Sequence, residues 1–404
     1  MARWKMSLIA VILALLLAVG YAAAASEEIN LAIQTSNNAK LLEEYLAWYL
    51  SENPGAKFTF SNNSSGQVNT LLLAGMPPAI QKRGVETYYQ MAAQGVLQDI
   101  TPLISKYNIN LNDFFPPVVE AIPYQGHFYA IPAEGKPEML YYNKQILARN
   151  GIAFPPTKYG DPSWTWDTMR KIAAKVTQDI DGDGVVDVWG VSGMPHVGQV
   201  GMMGSAWGAW WFDKDYNFIG DSPQMREALR FFADWVAEGT ITLSNTFTSG
   251  KAAFRIGYST SSIAQYQRAN VDLGVAPVVT GHKPTINTDA FRFFKGTDVD
   301  AAMKFILALA TDPNWAAKLA AADVGVPTLR RAIPIWMNMV TYPPEFIETI
   351  VDTMMYAQPR GSEYGPYQQL NSIIATNVEQ MVLGQISMAQ LYETLKVAAA
   401  EASY

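Results

Sequence analysis

The chain has 404 residues, of which 49% are hydrophobic and 16% charged. That supplies apolar material for two or three packed domains and excludes a disordered chain. Lys and Arg number 29 against 36 Asp and Glu, a net charge of −7 with no dense basic block, which argues against nucleic acid as a partner. The absence of cysteine excludes disulfides, thiolate metal sites and a cysteine nucleophile.

In chain order, Arg3 and Lys5 precede an apolar run from Ser7 to Val19, and small residues follow at Ala22–Ser26. This layout predicts a cleavable secretory signal over residues 1–25. The run is short for a membrane-spanning helix, and a lipoprotein would need a cysteine to lipidate. The expected product is a monomer free in the periplasm, with 404 − 25 = 379 residues.

Beyond the signal, Glu28–Gln34 alternates apolar and polar residues and predicts a strand. Asn37 or Asn38 is placed to cap a helix with the stripe Leu42, Tyr45, Leu46 and Tyr49. Lys57–Ser61 alternates again, Gln67–Ala74 reads as a helix ended by Gly75, and Val85–Ala93 reads as a further helix ended by Gly95. This strand–helix succession predicts an α/β layered domain. Ser222-Pro223 and Asp312-Pro313 are helix starts, and the tail from about Ile373 to Ala400 reads as helical and amphipathic.

Between these elements lies Asp179-Ile180-Asp181-Gly182-Asp183-Gly184-Val185-Val186-Asp187. Oxygens at alternate positions can wrap Ca²⁺, which takes six to eight oxygen ligands. Asp179, Asp181, Asp183 and Asp187, with the Val185 carbonyl, are the expected ligands of a structural calcium. Gly190 stands where an EF-hand carries its bidentate Glu, so a full EF-hand is not expected, and a solvated acidic turn is the plain alternative.

Three stretches, in their order, resemble one family. They are Pro123–Pro132 running into Met139-Leu140-Tyr141-Tyr142-Asn143-Lys144 and Trp164-Thr165-Trp166-Asp167; Phe247–Gly257 with Val275-Ala276-Pro277; and Val378–Gly384 leading to Ala389-Gln390-Leu391. Together with the signal layout they resemble the family 1 extracellular solute-binding proteins, the capture components of ABC sugar importers. The resemblance covers most of residues 26–404. It implies a two-lobed, periplasmic-binding-protein-like α/β fold in which each lobe is a sheet flanked by helices. Residues 26–135 with 287–337 would form one lobe, and 136–286 with 338–404 the other. A ligand bridging the lobes favours the closed form and shifts the population toward it, and a membrane permease would recognise that form.

The expected ligand is a carbohydrate, more naturally an oligosaccharide, because sugar C–H faces stack on aromatic rings. The Gly-rich segment Gly204–Phe212 holds Trp207, Trp210 and Trp211, and at least one is expected as a stacking platform, against burial of all three in a core. The resemblance adds Gln34, Thr35 and Ser36 after the first strand, Glu134 and Asp289 at the crossings between lobes, Tyr141 or Tyr142, Tyr258, Phe291 and Tyr367. Arg292 reads as an anchor for an anionic sugar or as a surface ion pair.

Against an enzyme stand the missing Gly-x-Ser-x-Gly elbow, phosphate loop and histidine pair. His127, His196 and His282 lie far apart in the chain. Two carboxylates need no adjacency, so a secreted, calcium-stabilised polysaccharide hydrolase or lyase is the runner-up. A binding protein that reports a sugar to a sensor is a third reading.

Overall fold

The computed structural model describes residues 28–33, 39–61, 65–85, 88–193, 204, 207–213, 217–257, 260–281, 283–359 and 367–402. Its strands are β1 (Glu28–Ile33), β2 (Lys57–Ser61), β3 (Ile80–Gly84), β4 (Ala130–Pro137), β5 (Met139–Asn143), β6 (Trp189–Ser192), β7 (Ile241–Thr242), β8 (Ala252–Gly257), β9 (Leu273–Ala276), β10 (Thr285–Phe293), β11 (Val326–Pro327) and β12 (Gln358–Pro359). They form two sheets. The first runs β11-β4-β10-β3-β1-β2, with β12 beside β10; the second runs β7-β6-β8-β5-β9. The molecule is thus two-lobed and α/β.

Helices bury the faces that their sequence periodicity selects. In the helix Ala39–Glu52, Leu42, Tyr45 and Tyr49 are buried, while Lys40, Glu43 and Glu44 face solvent. The Tyr45 ring meets Phe305 and Trp315 edge-on, and its hydroxyl donates to the Phe305 carbonyl. Both helix starts expected from serine or aspartate before proline are capped. Ser222 Oγ accepts from the Met225 amide at 3.1 Å, and Asp312 Oδ1 accepts from the Asn314 and Trp315 amides at 2.9 and 3.0 Å.

Three expectations need correction or extension. The helical tail is two helices, Tyr367–Val382 and Met388–Glu401. Gly384, at φ +72°, ends the first, and a reciprocal Ser387–Gln390 capping box opens the second. Strand β3 was not foreseen, because Gln81-Lys82-Arg83 carries no apolar alternation. Finally, β12 lies within the stretch assigned by sequence to the second lobe, yet it pairs with β10 of the first sheet.

Candidate functional site

Strands β1, β2 and β3 are parallel, so their carboxyl ends, at Ile33, Ser61 and Gly84, share one edge. Strand β10 runs the other way with Asp289 opposite Gly84, and β4 opposes β10 with Pro137 opposite Ile286. The chain therefore leaves the first sheet at this same edge and enters the second at Met139. In the second sheet Met139 lies opposite Gly257, the carboxyl end of β8, and β6 is parallel to β8. The carboxyl ends of both sheets thus face the crossing segments. This is the crevice position at which open α/β sheets bind ligands.

At the first-lobe side of that crossing sits a cluster of charges. Lys82 donates from Nζ to Glu134 Oε1 at 2.8 Å and also to Asp323. Lys136 donates to Asp289 Oδ2 at 2.8 Å and lies 3.4 Å from Glu134 Oε1. Lys82 and Glu134 are fully buried, whereas the side chains of Lys136 and Asp289 are 21% and 13% exposed. The exposed end of the network is therefore the Lys136–Asp289 pair, at the strand ends. Burial opposes ionisation of Asp289, but Lys82 and Lys136 outweigh it and hold the carboxyl well below the ordinary range. Burial pushes the Glu134 carboxyl well above its ordinary range despite Lys82.

Of the sequence-predicted ligand residues, Glu134 and Asp289 are brought together in this cluster. Gln34, Thr35, Ser36 and Tyr258 lie outside the described residues. Tyr367 opens the helix Tyr367–Val382. Tyr141 is fully buried against Tyr266, with ring centroids 5.2 Å apart. It belongs to the core because β5 is an interior strand whose five residues are all buried; Tyr142 and Phe291 are likewise core residues. Arg292 is buried as well, its guanidinium donating to the Met91 sulfur at 3.1 Å, so it is no surface ion pair.

The tryptophan segment divides. Trp211 is 2% exposed and forms part of the second lobe's core. A Cβ on Gly220 would come within 2.4 Å of its ring, so that glycine is what lets the ring seat. Trp211 is not a stacking platform; burial of its large apolar area prevails. Trp207 is half-buried on Phe231 and Phe232, with centroids 5.4 and 6.4 Å away. Trp210 is half-buried too.

In the acidic loop, carboxylate oxygens of Asp179, Asp181 and Asp187 lie within 4.8 Å of one another. Asp179 accepts from the Gly182 and Gly184 amides, both at 2.8 Å, and the Gly184 bond is the main cause holding its carboxyl below the ordinary range. Asp187 accepts from the Ile180 amide at 2.9 Å. Asp183 instead accepts from the Val185 amide at 2.7 Å and stays outside the convergent trio.

Sequence reasoning missed Lys82, Lys136 and Asp323. The available signal was an unbroken polar run in β3 beside Glu134-Gly135-Lys136.

A family profile described as bacterial extracellular solute-binding protein matches residues 44–341. A maltotriose-binding protein of Pyrococcus abyssi is 25% identical over 312 residues, which cover 72% of this chain and 63% of that protein. The chain thus spans less than two thirds of the length of that curated relative. Among solved structures, a sugar-binding protein from Xanthomonas citri is 18% identical with a TM-score of 0.77, the match covering 92% of this chain and 96% of that one. A Mycobacterium tuberculosis protein solved with glycerophosphocholine is 16% identical with a TM-score of 0.73, over 92% and 97%.

Proposed function

The chain belongs to the bacterial extracellular solute-binding proteins, and from that premise we propose that it captures a carbohydrate, preferentially an oligosaccharide, between its two lobes. The lobes close over the ligand, and the closed form is offered to the membrane permease of an ABC importer. The observation that carries the reading is the convergence of both sheets' carboxyl ends on one pair of crossing strands. A ligand there touches both lobes at once, so it binds the closed form more tightly and draws the population toward it. The sugar assignment draws support from the similarity to a maltotriose-binding relative and from a polar Lys136–Asp289 wall suited to hydroxyl groups.

In the same reading, residues 1–25 are an export signal without a lipid anchor, and the exported protein is a monomer that binds without turnover. No helix among the described residues is long and apolar enough to cross a membrane. Calcium held by Asp179, Asp181 and Asp187 would staple the loop that joins the helix Trp166–Val176 to β6. The test of the ligand is a thermal-shift titration with maltotriose, mannobiose, mannitol and glycerophosphocholine. A ligand at 100 times its Kd stabilises the folded state by about 2.7 kcal/mol. A saccharide is expected to raise Tm on that scale; a response to glycerophosphocholine alone would replace the carbohydrate assignment.

A further inference from the structure

The charge cluster beneath the crossing does not balance if every group is ionised. Lys82 on β3 and Lys136 on β4 supply two positive charges. Glu134 on β4, Asp289 on β10 and Asp323 after the helix Pro313–Ala322 supply three carboxyl groups, with one oxygen of each within 4.8 Å of the others. A net buried charge is costly. The hydrogen bonds locate the surplus. Glu134 Oε1 faces both ammonium groups, at 2.8 and 3.4 Å. Glu134 Oε2 is buried with no hydrogen-bond partner, and the Asp289 and Asp323 carboxyls both converge on the Glu134 carboxyl. The Gly325 backbone packs beside Oε2, since a Cβ there would come within 3.0 Å of it. A metal ion in this position would stand against two ammonium groups, so a proton is the neutralising species that fits.

We infer that Glu134 is a neutral carboxylic acid in the folded protein, its Oε2–H donating to the Asp323 carboxylate, and that this proton leaves the Lys136–Asp289 wall with a balanced network behind it. Nothing in this inference depends on which solute is bound. The hydrogen satisfies a buried carboxylate oxygen of this cluster that otherwise lacks a partner, and the two remaining carboxylates match the two lysines.

The sign of the linkage follows. Unfolded Glu134 is ionised at neutral pH, so unfolding releases its proton, and the unfolding equilibrium constant rises with pH above the ordinary Glu range. Glu134→Gln keeps the shape and the donor but carries no proton to release. The test measures unfolding of the full chain and of E134Q from pH 6 to 8. The ratio of wild-type to E134Q unfolding constants is expected to rise tenfold per pH unit; a constant ratio overturns the proposal. Should E134Q fail to fold, the wild-type infrared spectrum at pH 8 decides. A carbonyl stretch of a protonated carboxyl group is expected, shifted in Asp323→Asn, and absence of any such band overturns the inference.

Discussion

Glu138 and Thr285 clasp the two strands that join the lobes. The Glu138 carboxylate accepts from the Thr285 amide at 3.0 Å and from its hydroxyl at 3.2 Å, while the Glu138 amide donates to the Thr285 carbonyl at 2.8 Å. Both residues are buried. Glu138 is the single residue between β4 and β5, and Thr285 is the first of β10, so the clasp ties the two strands together where the chain passes between the sheets. Thr285→Val removes one bond and is expected to cost about 1 kcal/mol. Glu138→Ala leaves the buried Thr285 amide without its carboxylate and is expected to cost about 2–3 kcal/mol. Urea unfolding of both variants checks the order; equal losses would contradict it.

Asp289 gives the first lobe an acid-sensitive tie. Its carboxyl sits below the ordinary range through Lys82 and Lys136, so it contributes stability above the unfolded Asp pKa. That contribution is lost as pH falls below about 4. Removing one partner of a largely buried pair costs roughly 3 kcal/mol. Asp289→Asn is therefore expected to lose about that much at pH 7, and the gap to wild type should narrow steadily between pH 4 and pH 2. Denaturant melts across that range read it. A gap independent of pH would show that Asp289 is not held ionised by the lysines.

Trp211 and Gly220 test the division of the tryptophan segment. Gly220→Ala drives a methyl into the Trp211 ring and is expected to cost about 1–3 kcal/mol. Trp211→Phe is expected to lower Tm while leaving the Kd for the saccharide identified by thermal shift unchanged, because the ring lies in the core. A large rise in Kd with an unchanged Tm would return Trp211 to the ligand site.

The acidic loop yields a metal prediction. Carboxylates that converge as Asp179, Asp181 and Asp187 do repel one another until a cation joins them. Saturating Ca²⁺ is expected to raise Tm relative to excess chelator, and Asp179→Asn to abolish the difference. Identical melting in Ca²⁺ and chelator would leave a solvated turn held by its own Gly182 and Gly184 amides.

How much of this was legible in the sequence depends on what each residue answers to. The helices at Ala39, Pro223 and Pro313 were readable, because caps and apolar spacing are local properties. The acidic loop was readable for the same reason. The charge cluster was not. Lys82, Glu134, Asp289 and Asp323 are separated by up to 241 positions, and only the sheet register brings them together. Glu134 and Asp289 were named through family resemblance, without the lysines that define their chemistry. Which of the three tryptophans is buried was not legible, because a Gly-rich segment suggests an exposed loop, whereas Gly220, nine residues after Trp211, supplies the space that buries that ring.

The central claim is closure of two lobes over a saccharide, and small-angle scattering during a titration with the saccharide that raises Tm tests it most directly. The account predicts that the radius of gyration falls as the saccharide that raises Tm saturates the protein and levels off at the same concentration as the thermal shift. An unchanged radius at concentrations where the thermal shift shows full occupancy would contradict it.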